Sequence, residues 1–117
     1  MRRVTLLALA VVLAFGLSGT AAGYKTYESI TVANASIGFT DATINPPGYM
    51  QQNHCEGRLE TAEIRYRWDG AAPTTTEGIV LQPLEMLTIS TNEDAAKLRM
   101  IRTGSTSGVI KFTCWAQ

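Results

Sequence analysis

The stretch that decides the fold reads Ala62-Glu63-Ile64-Arg65-Tyr66-Arg67-Trp68 and ends on the turn pair Asp69-Gly70. Apolar and charged side chains alternate along it, so an extended chain places the apolar set on one face and the charged set on the other. The pattern predicts a β-strand over 62–68 with one packed face and one solvated face.

Short runs rich in β-branched and aromatic residues lie on both sides of this strand, separated by Gly, Pro, Asn and Asp. They predict further strands over 27–32, 36–44, 79–81, 85–90, 98–102 and 109–115, with an exposed polar loop over 49–57. The only helical pattern is a single turn over 92–97, with Asn92 as its cap. The sequence therefore predicts an all-β fold, either an antiparallel β-sandwich or a jelly-roll-like barrel.

A leader precedes these strands. Met1-Arg2-Arg3 is followed by an uncharged apolar run over 4–17 and by small residues over 18–23. The run is too short to cross a bilayer comfortably, and no basic stop-transfer cluster follows it. We predict a cleaved signal peptide over 1–23, a single β-sandwich domain over 24–117, and a periplasmic or extracellular location. The signal peptide is then the only membrane contact, with an uncleaved anchor as the alternative.

The chain has two cysteines, Cys55 and Cys114, and both lie in the predicted mature part. Export predicts that they form a disulfide, for which the chain-entropy model gives an upper stabilisation of about 4 kcal/mol. Cys114 falls on the same face of the last predicted strand as Phe112, as a buried bridge requires. An immunoglobulin-like domain stays open as an alternative, because Trp68 lies between the cysteines, although Phe112 stands where such domains carry a tyrosine.

Charge and composition argue against several function classes. Basic and acidic residues are equal in number, and Arg2 and Arg3 fall in the leader, so the mature chain is slightly acidic and no nucleic-acid partner is expected. The sole histidine, His54, is interpreted as a solvated loop residue beside an oxidised Cys55. Glu63 alternates with arginines, which indicates surface ion pairing. We predict no catalytic residues, no metal site, no cofactor and no enzymatic activity.

Aromatic residues are the remaining candidates for binding. Trp68 shares a face with Ile64 and Tyr66, and we interpret it as a core residue rather than a sugar-stacking one. Tyr49, in the predicted loop, and Trp115, at the end of the last strand, are predicted to form a possible binding surface for a glycan or another surface component.

Several segments carry a resemblance to a known group of proteins. They are residues 31–40, 60–70, 73–74, 78, 85–87 and 101–109, with the turns Asp69-Gly70 and Thr103-Gly104-Ser105-Thr106-Ser107-Gly108 among them. This layout resembles small uncharacterised proteins encoded among bacteriophage and prophage structural genes. The resemblance implies a compact β-sandwich associated with virions, as a capsid decoration or tail accessory module. Together with the leader, it implies an exported accessory protein.

Two functions follow as expectations. The first is a non-enzymatic, phage- or prophage-encoded structural or surface-binding module that is exported and attaches to a virion or cell surface. This function predicts either homo-oligomers or binding to such a surface. The alternative is a periplasmic or secreted carbohydrate-binding module, with Trp68, Trp115 or Tyr49 as the residue on which a sugar stacks.

Overall fold

Seven strands and two short helices make up the part of the chain that the structure, a computed structural model, describes, residues 23–117. The predicted signal peptide lies outside these residues, apart from Gly23. The elements are β1 Lys25–Val32, α1 Asp41–Ile44, β2 His54–Leu59, β3 Ile64–Arg67, β4 Ile79–Leu81, β5 Met86–Ile89, α2 Asn92–Lys97, β6 Arg99–Arg102 and β7 Gly108–Trp115.

The strands form two antiparallel sheets, with strand orders β1-β7-β2-β5 and β4-β3-β6. Alternate residues of each strand point inward and make one hydrophobic core; Ile110 and Phe112 come from the larger sheet, and Ile64 and Met100 from the smaller one. All four are fully buried. The predicted β-sandwich is confirmed, while the barrel alternative is wrong because the sheets stay separate and open.

A close approach between β2 and β7 depends on a glycine. Gly57 lies opposite Phe112 in the sheet, and a Cβ added at Gly57 would lie 2.5 Å from atoms of the Phe112 ring. Because glycine has no side chain, the aromatic ring covers its backbone and fills the core at this point.

The predicted disulfide is present. Cys55 of β2 and Cys114 of β7 lie directly opposite each other, with their Cα atoms 4.1 Å apart, and both are buried. The bridge therefore joins neighbouring strands of one sheet. In an antibody domain the bridge joins the two sheets, so the immunoglobulin alternative does not describe this arrangement.

Two sequence-based predictions are wrong. The segment 36–44 forms only an isolated bridge, between Ile37 and Met100, before the helical turn α1. The backbone amide of Asn45 closes this turn on the Asp41 carbonyl, at 2.7 Å, so a local hydrogen bond overrides the β-propensity of the segment. The segment 49–57 is not all exposed loop, because β2 begins at His54 and Gln52 is 1% exposed.

The predicted helical turn over 92–97 is confirmed, but its cap is Thr91 rather than Asn92. The Thr91 hydroxyl accepts a hydrogen bond from the Asp94 amide at 3.0 Å. The Asn92 amide instead donates to the carbonyl oxygens of Ile44 and Gln52. Asn92 thereby ties α2 to α1 and to the segment that leads into β2.

Within residues 23–117, no helix is long and apolar enough to cross a membrane.

Candidate binding sites

The two residues predicted to bind a partner, Tyr49 and Trp115, belong to separate aromatic pairs at one end of the larger sheet. Tyr49 is exposed and stacks on Tyr24, with ring centroids 3.9 Å apart and planes 10° apart. Trp115 ends β7 opposite Lys25 and His54, and its ring centroid is 4.5 Å from that of His54. Because Tyr24 directly precedes Lys25, the two pairs lie near the same strand ends.

His54 is more enclosed than the sequence indicated. Its side chain is 14% exposed, and its Nε2 atom lies 3.3 Å from a carboxylate oxygen of Glu56. The Trp115 ring covers it on the outer face of the sheet. The interpretation of His54 as a solvated loop residue is wrong, since β-pairing with β7 draws it against the indole.

A second group of exposed side chains lies on the edge strands β4 and β5 and on the turn between them. Ile79, Val80, Leu84 and Met86 are 51%, 38%, 72% and 50% exposed, and we call them the apolar edge. The sequence predicts two short strands here, with Met86 or Leu87 and Ile89 supplying apolar contacts; the structure buries Leu87 and Ile89 and leaves Met86 exposed. The runs are too short for periodicity to separate inward from outward residues.

The third feature is a cleft of about 370 Å³ where β3 ends and β4 begins. It is lined by Arg67, Trp68, Asp69, Glu77, Gly78 and Ile79. Pockets for small ligands commonly occupy about 300–1,000 Å³, so the cleft has room for one small ligand or one unit of a longer one.

Trp68 belongs both to this cleft and to the packed interior. It packs against the core, as the sequence predicted, and its ring centroid is 5.5 Å from that of Tyr66. It is nevertheless only partly buried and lines the cleft. The alternation of β3 identified the packed face of Trp68 but not the exposed remainder.

The loop over 69–78 forms the outer wall of the cleft and is held from beneath by Arg65. The Arg65 guanidinium donates hydrogen bonds to the carbonyl oxygens of Thr75, at 3.1 Å, and Gly78, at 2.8 Å. Within the loop, the Thr74 hydroxyl accepts a bond from the Glu77 amide at 2.9 Å. The sequence assigned Arg65 to the solvated face of β3, and from there its guanidinium donates charge-assisted hydrogen bonds to the loop.

Opposite charges meet directly at the mouth of the cleft. Arg67 donates two hydrogen bonds to the Asp69 carboxylate, from Nε at 3.1 Å and from Nη2 at 2.5 Å. The bond from Arg67, with another from the Ala71 amide, lowers the pKa of Asp69 to about 2. The pKa of Arg67 is raised by its hydrogen bond to Asp69, and further by the negative charges of Asp69 and Glu77. The pair thus stays ionised at neutral pH and presents donors and acceptors side by side.

Among residues 23–117, no group of three or more His, Cys, Asp or Glu side chains is arranged to hold a metal ion.

No protein-family model, no curated protein and no solved structure matches this chain. The phage and prophage resemblance therefore remains a hypothesis based on sequence layout.

Proposed function

We propose that this chain is an exported, non-enzymatic binding module of phage or prophage origin that attaches to a protein on a virion or cell surface. The observation that carries the proposal is the apolar edge, Ile79, Val80, Leu84 and Met86. All four lie within one short segment that joins the two sheets. Single exposed apolar residues are ordinary, but four of them within residues 79–86, at the edges of both sheets, make this segment a candidate contact surface.

The position of the apolar edge favours a protein partner. β4 and β5 are edge strands, so one side of each offers backbone donors and acceptors that no neighbouring strand of the sheet uses. Extended segments of other proteins pair with such edges through main-chain hydrogen bonds and place side chains against adjacent apolar groups. A sugar offers neither an extended backbone nor alternating side chains.

Retention on particles tests this function. Purified disulfide-containing protein is sedimented with virions of the encoding phage and, separately, with host envelopes. We expect retention on one of them and a loss of about tenfold in affinity for Leu84→Asn, as for truncation of a central contact residue. The matched control is Tyr27→Asn, because Tyr27 is 62% exposed on β1, the opposite edge of the larger sheet.

Two outcomes count against the proposal. The first is a strictly monomeric protein with no retention on either particle, and the second is an equal effect of Leu84→Asn and Tyr27→Asn. Self-association that Leu84→Asn abolishes would assign the apolar edge to a second copy of the chain instead.

Export and origin have separate support. The disulfide supports export, because such bridges persist mainly in oxidising compartments. The phage or prophage origin is supported by the sequence layout, and the neighbouring genes test it: capsid or tail genes would agree with it, and a polysaccharide or transport locus would not.

A carbohydrate-binding module is the second candidate, and the cleft beside Trp68 is the observation that favours it. A partly exposed indole next to a paired arginine and carboxylate offers a flat apolar surface with polar groups at its rim. A glycan array probed with the exported protein tests this function, and the absence of any signal would remove it.

A further inference from the structure

Hydrogen bonds within the loop and between the loop and β3 fix the walls of the cleft beside Trp68. Arg65 ties the loop over 69–78 to β3 through two carbonyl oxygens, and Thr74 closes the loop on Glu77 in both directions, through its amide and its hydroxyl. Gly78, at φ 133°, lies tightly against Pro73 and Arg65. A Cβ at Gly78 would come within 3.1 Å of the Pro73 Cβ and 3.2 Å of the Arg65 Cβ, so the absence of a side chain lets the loop approach β3 closely. A preformed wall lowers the entropic cost of binding, because little of the loop has to be ordered by the ligand.

The indole ring of Trp68, which forms the aromatic surface of the cleft, is also fixed by packing. The indole of Trp68 packs against the core and against Tyr66, so it cannot turn away from the cleft without opening the interior. Ile79, half exposed, extends the apolar surface on the β4 side. A ligand that fits must therefore have an apolar face.

The charges that line the cleft select among ligands. An anion would meet the carboxylates of Asp69 and Glu77, and a cation would meet the guanidinium of Arg67, all within about 370 Å³. A neutral ligand with several hydroxyl groups is repelled neither by the carboxylates nor by the guanidinium. Its hydroxyls accept hydrogen bonds from Arg67 and donate to the carboxylates of Asp69 and Glu77, of which that of Asp69 is already oriented by its pairing with Arg67.

From these observations we propose that the cleft binds one neutral pyranose unit of a glycan, with the ring stacked on Trp68 and its hydroxyls bonded to Arg67, Asp69 and Glu77. This inference rests on the second proposed function and names the site and ligand class for it. Tyr49 and Trp115 lie outside this site.

Calorimetric titration with oligosaccharides of defined charge tests the proposal. The probes are cellohexaose, maltohexaose and chitohexaose as neutral chains, a chitosan hexamer as a cation and an oligogalacturonate as an anion. We expect at least one neutral chain to bind and both charged chains to bind about tenfold more weakly or not at all.

Three variants locate the site. Trp68→Leu keeps an apolar contact with the core but removes the flat ring, and Asp69→Ala removes the paired carboxylate; each is expected to weaken binding by about tenfold or more. The control is Glu60→Ala, since Glu60 is likewise paired with a cation, Lys111 at 2.7 Å, but on the other sheet. Thermal unfolding of each variant is recorded, and Glu77→Gln takes the place of Trp68→Leu if the latter does not fold.

The outcomes separate this inference from the function on which it rests. Glycan binding that survives Trp68→Leu and Asp69→Ala keeps the carbohydrate-binding function but overturns the cleft as its site. A preference for the chitosan hexamer or the oligogalacturonate overturns the neutral ligand. No binding of any glycan, on the array or in solution, overturns both.

Discussion

Leu84 holds an unfavourable backbone conformation at the tip of the turn between β4 and β5. Its φ is 72°, in the left-handed region, and the Glu85 amide closes the turn on the Gln82 carbonyl at 3.1 Å. With Pro83 before it, Leu84 occupies the turn position that favours glycine or asparagine. The left-handed conformation costs a residue such as leucine about 1–2 kcal/mol of folding free energy. Strain of this kind at an exposed residue accords with a role in binding.

Leu84→Asn is therefore expected to raise the free energy of unfolding by about 0.5–1 kcal/mol, because asparagine adopts the left-handed region more readily. Urea denaturation measures the change. Met86→Asn is the control, since Met86 is also exposed but lies in a strand, where asparagine is disfavoured. A lower stability for Leu84→Asn would show that the turn is not strained. The same variant is expected to bind its particle less well, so stability and binding would change in opposite directions.

Burial of individual polar residues was the least predictable part of the sequence. Gln52 stands in a run of polar residues, yet it is 1% exposed, with its amide donating to the Met50 carbonyl and its backbone amide to Ile44. These bonds offset part of the cost of burial, but within residues 23–117 no group donates to the buried side-chain oxygen, Oε1. The alternation of apolar and polar residues gives no sign of this burial. Cys114 and Phe112, by contrast, were placed correctly in the core because β7 alternates along its whole length.

At the scale of elements, long alternating strands were predictable and short irregular segments were not. β3 and β7 follow the pattern of their apolar residues, whereas the segment 36–44 leaves the sheet after a single bridge. Glu28 of β1 accepts hydrogen bonds from the amide and hydroxyl of Thr40, which holds that segment beside β1 rather than in a strand. Such contacts depend on the assembled fold and leave no local signal.

The cleft was not predictable from the sequence either, but for a different reason. Its lining residues all lie within 67–79, so the fold does not bring them together from distant parts of the sequence. The loop conformation depends on the Arg65 side chain bonding to carbonyl groups, and alternation in β3 indicated only that Arg65 faces away from the core. Sequence therefore placed Trp68 in the core but did not reveal the cavity beside it.

The ion pair at the cleft predicts how acid affects stability. Because the pKa of Asp69 falls from an ordinary 3.8 to about 2 in the folded chain, its stabilising contribution is complete above about pH 4 and is lost as pH falls toward 2. Glu63, whose pKa is lowered by bonds from Thr103 and Gln82, acts in the same direction. Asp69→Asn should reduce the slope of stability against pH in this range without abolishing it.

Urea denaturation at a series of pH values measures this slope. Asp94→Asn serves as the control, because it removes a carboxylate from α2 rather than from the arginine pair. An unchanged slope in Asp69→Asn would mean that the pair contributes nothing to folding.

At the scale of the whole molecule, export and the disulfide are tested together. Protein recovered from the periplasm or medium should begin at Gly23 or Tyr24, and its mass should be two hydrogens below that of the reduced form. Reduction should lower the free energy of unfolding by several kcal/mol, with about 4 kcal/mol as the upper figure for a cross-link of this span, and thermal unfolding with and without reductant measures it. Two free thiols in exported protein would contradict the bridge.

The same bridge also determines what happens when the chain is cut. Residues between Cys55 and Cys114 form a covalent ring that includes the loop over 69–78 and the turn at Leu84, the two exposed segments on which binding is proposed. A protease that hydrolyses one peptide bond in either segment opens the ring but releases no fragment, because β2 and β7 stay joined through sulfur. If the chain is exported as proposed, a molecule nicked outside the cell, where proteases are common and repair is absent, would keep its larger sheet and both halves of its surface.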